Sequence, residues 1–276
     1  MDQGCFEPTP LADLFPHEDY RLQMRFTRGR PEVFFGPTAT HAEVIAERKR
    51  WLTESPETYS ALLEPGEPLL LEATELSRRW HGFQSPLNLT PAGLCRALGS
   101  FWEADFLLLK ADGDGEIRLV GGCLCFPSHW RLADKIGKPI EFIHGPVPGL
   151  NENLGASIHK FLTALKPGVA SQRVNWGLSR SAELNQHPDR TLPRLDTTVS
   201  LDEVWLRVEE QALVALPASG GILFGIRIVN HPLSELREDP LLAARFCQAL
   251  ATMPEGMARY KNLLGARPVL IEMLTR

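Results

Sequence analysis

Long apolar runs are absent from this chain. Nothing in its 276 residues approaches the roughly 20 consecutive apolar positions of a membrane-spanning helix. The start, Met1-Asp2-Gln3-Gly4, lacks the basic and apolar regions of a secretory leader, so a cytoplasmic protein without a membrane role is expected. Excess positive charge is lacking too. A formal net charge of −5 gives no general surface for nucleic acid. Cysteines number five, an odd count scattered from Cys5 to Cys247, which argues against a disulfide framework. Phosphate-cradling glycine loops, the Gly-x-Ser-x-Gly elbow, the His-Glu-x-x-His zinc motif and iron–sulfur cysteine spacings are missing as well.

What is present reads as a globular chain without repeats or long linkers. Residues 1–40 are rich in proline, glycine and aromatics and read as an arm laid over the body. Thr40 and Glu43 have the spacing of a capping box. They start a helix with Ile45 and Leu52 on one face, which fades at Glu54-Ser55 before Pro56. Phe106 to Lys110 and Glu116 to Phe126 flank an Asp-Gly turn signal and predict a hairpin. Ile140 to His144 reads as a short strand stopped by Gly145-Pro146. Leu154, Ile158, Phe161, Leu162 and Leu165 then recur with helical spacing up to Lys166-Pro167-Gly168. Ser171 to Leu178 is extended. Leu206 to Leu216 and Ile222 to Val229 predict a second hairpin around Pro217–Gly221, and Asp239-Pro240 opens a C-terminal helix. Antiparallel strands with helices grouped between and after them predict an α+β fold.

Two features carry possible chemistry. Cys123 and Cys125 would share one face of a strand, but only His129 lies close in sequence. Two small buried thiols are therefore favoured over a metal site. His144 ends an apolar run and is followed by Gly145-Pro146-Val147-Pro148, a stiff segment that could hold an imidazole ready for a metal. A buried histidine bonded to a carbonyl fits the same spacing, and spacing alone favours it.

A set of ordered motifs changes that balance: Cys125–Trp130, Lys135–Pro139, Ile143–Pro148, Arg173-Val-Asn-Trp176, Leu206–Gln211, Pro217–Phe224 and His231-Pro-Leu233. Over roughly residues 65–265 the chain resembles the heme subunit of the heme-dependent oxidative N-demethylases. The resemblance implies a PAS-like antiparallel sheet with flanking helices, about 65–232, an arm and helix over 1–64 and a helical segment over 233–276, all in one domain. It also implies heme b, which is non-covalent here because no Cys-x-x-Cys-His is present. The implied reaction is removal of a methyl group from a small amine as formaldehyde, with oxygen and electrons from a separate flavin and iron–sulfur reductase.

His144 matches the family's His-x-Pro-Val-Pro histidine and is the implied iron ligand, with His159 its main competitor. Arg173 and Asn175 match the Arg-x-Asn-Trp motif and are expected at the cofactor. Arg207 and Glu209 match the Arg-x-Glu pair, which strand alternation places on one face. Glu209, Arg207 and Arg173 are thus the candidate catalytic residues, Glu209 as counter-charge to the ammonium and the arginines toward oxygen or the heme propionates. Trp130 and Trp176 are expected to pack. Glu210 stands where the family commonly has a basic residue, and Ser77 to Pro86 matches only loosely. A heme-binding PAS-like sensor is the alternative to an enzyme, and Glu209 beside Arg207 favours the enzyme.

Overall fold

The structure, a computed structural model, describes residues 5–16 and 19–275. Met1–Gly4 and His17 lie outside these residues.

Alternating long strands build one open antiparallel sheet. Its seven strands are β1 (Thr27–Gly29), β2 (Ser60–Leu62), β3 (Asp105–Ala111), β4 (Ile117–Cys123), β5 (Ala170–Ser179), β6 (Trp205–Leu216) and β7 (Gly221–Pro232). Their order is β1-β5-β6-β7-β3-β4-β2, so the chain's first two strands form the two edges. Both expected hairpins are present: β3 pairs with β4, and β6 pairs with β7 from Trp205↔Pro232 to Leu216↔Gly221. The fold is α+β.

Strand alternation sorts the side chains onto two faces. Phe106, Leu108, Ala212, Val214 and Leu223 join a core with Leu52 of α1 (His41–Glu54), Leu69, Leu70 and Ala73 of α2 (Glu67–His81), and Cys95 and Leu98 of α3 (Pro91–Gly99). Leu107, Leu109, Leu213, Phe224 and Ile226 face the other way. They meet α4 (Ile140–His144) and α5 (Leu150–Thr163), whose Ile158, Phe161 and Leu162 supply the opposing apolar stripe. A third cluster joins α6 (Pro240–Thr252), α7 (Glu255–Tyr260) and α8 (Arg267–Thr275) to Leu206, Val208 and Trp176. Asp239 caps α6 by accepting from the Leu241 and Leu242 amides at 3.0 and 3.1 Å.

Two local expectations are corrected. Ile140–His144 is a helical turn, not a strand. The chain bonds to β4 only up to Pro139, where Leu119 N–H donates to Lys138 O and Arg118 bridges Pro139. Beyond that point a helix turns Ile140 and Ile143, three apart, toward the same cavity. The Thr40 capping box does not form: its hydroxyl lies 3.1 Å from that of Thr38, and no side chain caps α1. The α1 entry is held by Glu103, which accepts from the Thr38 amide and hydroxyl and contacts His41 Nδ1 at 2.7 Å.

Candidate functional site

Odd-numbered positions of β5 and β6 and even-numbered positions of β7 look into a cavity closed by α4 and α5. Gly149, with φ of +70°, reverses the chain between these two helices, a conformation side-chain-bearing residues rarely adopt. The cavity has two chambers that share Leu109, Ile140, His144, Gln211 and Phe224. The smaller, about 150 Å³, adds Ser128, Trp130, Lys135 and Glu209. The larger, about 250 Å³, adds Tyr20, Phe26, Arg173, Asn175, Tyr260 and Lys261. Mostly apolar walls with a few convergent polar groups are the usual make-up of a ligand site.

His144 stands between the chambers. Burial, then the Arg173 and Lys135 cations, push its imidazole down to about 4, so the ring is neutral at ordinary pH. Among the described residues the His144 ring has no hydrogen-bond partner, unlike that of His159, whose Nε2 lies 3.1 Å from Gly115 O on an exposed face. His231 lies 3.9 Å from Glu235, and His129, in the left-handed region at φ of +61°, is exposed; neither lines the cavity.

Glu209 is the centre of a hydrogen-bond cluster. Its Oε1 accepts from Ser128 Oγ at 2.6 Å, and its Oε2 accepts from Asn175 Nδ2 at 3.2 Å and Gln211 Nε2 at 3.0 Å. Burial alone would raise its carboxyl. Ser128, Arg207, Asn175 and Lys261 outweigh burial and hold it below the ordinary value, as an anion. Ser128 also ties the two charges of β6 together, because its Oγ accepts from Arg207 Nε at 2.9 Å. Arg207 and Glu209 thus share one face, as alternation requires.

Arg207 itself is turned into the protein. Its Nη2 donates to Phe126 O at 2.9 Å and Leu184 O at 2.7 Å, its Nη1 donates to Glu183 O at 3.3 Å, and it lines neither chamber. The loop carrying the Phe126 carbonyl is itself anchored from β3. Asp105 accepts from the Cys125 and Phe126 amides at 2.6 and 2.9 Å and from Arg48 Nη1 at 2.6 Å. Cys123 and Cys125 are buried beside this pair, with sulfurs 3.8 Å apart.

Arg173 is the guanidinium that does face the cavity. It has no hydrogen bond or ion pair among the described residues, and its Cζ lies 6.0 Å from the centre of the Phe26 ring. Lys261 joins it in the larger chamber. Its Nζ donates to Asn175 Oδ1 at 3.3 Å and to Trp176 O, and burial pushes it down to about 8. Trp176 packs edge-on against Phe15 at 5.2 Å and Phe246 at 5.6 Å, on the opposite face. Trp130 lines the smaller chamber with Lys135 Nζ 4.1 Å from the centre of its ring.

Ser128, Lys135, Gln211 and Lys261 are among the polar lining residues that sequence reasoning did not assign. Gln211 could have been found, since it stands two residues beyond Glu209 on one face of β6. The others carry no periodic signal. Glu210 points away from the cavity and accepts from the Thr9 amide at 2.6 Å and hydroxyl at 3.0 Å, fastening the arm to β6. The loosely matching segment Ser77 to Pro86 also lies on the far face, where Trp80 stacks near Phe35 at 6.0 Å.

Fold and site together define an α+β protein with a ligand cavity between one sheet face and two helices. More particularly, the chain belongs to the family of the haem-dependent oxidative N-demethylase, alpha subunit-like proteins, whose sequence profile matches residues 56–271. The family's name implies a heme cofactor, oxidative N-demethylation and a place in a multi-subunit assembly. The residues fit such a group. A neutral imidazole with no protein partner is a donor suited to iron, and Arg173 and Lys261 are cations suited to propionates. Among the described residues no group of three His, Cys, Asp or Glu could hold a bare metal ion, and no helix is long and apolar enough to cross a membrane.

Proposed function

We propose that this chain is the heme-binding catalytic component of an oxidative N-demethylase, a monooxygenase acting on a small methylated amine. The observation that carries the reading is His144, a neutral and unpartnered imidazole facing a cavity that also holds Arg173 and a carboxylate, Glu209. His144 would hold heme b non-covalently, and the bound heme would supply the activation of oxygen, which is the oxidant. Arg173, Asn175 and Lys261 serve the propionate side. Strands β3 to β7 lie in the order β4-β3-β7-β6-β5, with the first beside the last, which supports a PAS-like core spanning about residues 65–232 within one domain.

The protein's own groups do the rest. Glu209 holds the substrate ammonium, and Ser128 keeps that carboxylate oriented and ionised. Leu107, Leu109, Phe224 and Ile226 exclude water, which strengthens the charge pairing. Methylated amine, oxygen, two electrons and two protons give demethylated amine, formaldehyde and water. The electrons come from a separate flavin and iron–sulfur protein, because this chain carries no motif for either group. A sensor would not call for a buried carboxylate, so the enzyme reading is preferred.

The test is an amine titration of the heme-loaded protein followed by its absorption spectrum. Wild type shifts its heme band on amine addition. Glu209→Gln keeps heme and loses the shift together with formaldehyde release. An intact amine response in Glu209→Gln would remove this residue from the site.

A further inference from the structure

The smaller chamber contains a charge that the amine reading leaves without a role. Lys135 lines it together with Glu209, yet among the described residues no carboxylate or carbonyl lies within ion-pair or hydrogen-bond reach of its Nζ. Its position is set by the Trp130 ring at 4.1 Å, which keeps the ammonium on the chamber wall rather than out toward exposed Asp134. We propose that this chamber recognises a methylated amine that also bears a carboxylate, an N-methylated amino acid. Glu209 takes the ammonium and Lys135 the carboxylate. The proposal rests on the amine-oxidising reading above and names the substrate class for it.

Charge balance leads to this class. Among the described residues the cavity walls carry one carboxylate, Glu209, against three cations: Lys135 in the smaller chamber, and Arg173 and Lys261 in the larger. Arg173 and Lys261 answer to the two propionates of the cofactor. Glu209 is already stabilised from behind by Arg207, and by Lys261 through Asn175. A bare ammonium would add positive charge beside Lys135 and leave that lysine unmatched in a water-poor site, where an unpaired charge is costly. A zwitterion adds no net charge and supplies the missing anion.

Spacing and valence agree. Glu209 and Lys135 sense each other's charge but are too far apart for an ion pair, which leaves room for a molecule between them. An ionised carboxylate offers about four acceptor positions. Ser128, Asn175 and Gln211 occupy three, so one is left for a single N–H donor. A tertiary ammonium carries one N–H, which points to an N,N-dimethyl amino acid. The chamber's volume of about 150 Å³ restricts it to one with little or no side chain.

The experiment titrates the heme-loaded full chain with N,N-dimethylglycine and with N,N-dimethylisobutylamine, which has the same skeleton without the carboxylate. Affinity is read from the heme band and independently by calorimetry. Wild type should bind the amino acid at least tenfold more tightly. Lys135→Met, which preserves the apolar stem against Trp130, should abolish that preference while keeping heme and binding the plain amine at least as tightly as wild type does. Lys135→Arg should restore the preference in part. Equal affinities in wild type, or a preference that survives Lys135→Met, overturn the proposal and leave the amine reading standing. Loss of heme from Lys135→Met also overturns it, because the lysine then serves the cofactor. If neither compound binds, this proposal and the amine reading fall together.

Discussion

Ser128→Ala removes one hydroxyl and two charge-assisted hydrogen bonds. The hydroxyl accepts from Arg207 Nε at 2.9 Å and donates to Glu209 Oε1 at 2.6 Å, so it is the direct link between the two charges of β6. Hydrogen bonds to charged groups contribute about 1.5–3 kcal/mol each, giving a gross loss of roughly 3–6 kcal/mol. Arg207 keeps Phe126 O and Leu184 O, and Glu209 keeps Asn175 and Gln211. Ser128 also lines the chamber, so water can enter the space and replace part of what is lost. A net destabilisation of about 2 kcal/mol is expected, roughly 4–8 °C in Tm for a chain of this size. Urea unfolding should show a lower midpoint with an unchanged slope.

The same change acts on Glu209. Burial raises its carboxyl, and the Ser128 hydrogen bond is the largest of the influences that lower it, so its loss moves the carboxyl upward. Amine binding depends on the ionised form and is lost as pH falls through that carboxyl. The acid limb of amine binding should therefore move to higher pH in Ser128→Ala. A stability change under about 0.5 kcal/mol, with an acid limb identical to wild type, would refute the linking role.

Other outcomes follow from the same geometry. Asp105→Ala leaves Arg48 buried without its carboxylate and frees the Cys125 and Phe126 amides, and should cost about 3–5 kcal/mol in urea unfolding. Because that carboxylate anchors the loop bearing Ser128, amine affinity should fall with it, and a stable variant with normal amine binding would contradict the anchoring. His144 titrates at about 4 in the folded chain, against an ordinary value near 6.5. The unfolded chain then binds more protons between these values, so heme-free stability falls as pH drops from about 6.5 toward about 4 and levels off below. His144→Gln removes this contribution, at most about 3 kcal/mol, and should flatten the pH dependence of urea midpoints.

Legibility followed periodicity. β6 and β7, twelve residues each, alternate over their length and flank a glycine-rich turn, so their pairing could be read in advance. The same alternation placed Arg207 with Glu209. Ile140–His144 is too short for a period to be measured, and its apolar residues suit a strand as well as a helical turn. What Arg207 does with its guanidinium was not legible, because its partners lie about 80 positions away in Phe126 and Pro127 and 23 away in Leu184. Ser128 and Lys135 lie outside regular elements, and Lys261 directly follows the end of α7, just before Asn262 at φ of +57°. Long-range contacts of this kind leave no local mark on the sequence. Thr40 shows the opposite failure: a capping spacing was present, but Glu103 drew Thr38 and His41 into a different arrangement.

The claim on which the account rests is that His144 is the iron ligand. Heme titration into the heme-free chain, followed in the Soret region, tests it most directly when wild type, His144→Ala and His159→Ala are compared. Wild type and His159→Ala should reach one heme per chain with the same spectrum, while His144→Ala should lose the heme or bind it with a markedly altered band. Full occupancy and an unchanged Soret band in His144→Ala would contradict the account.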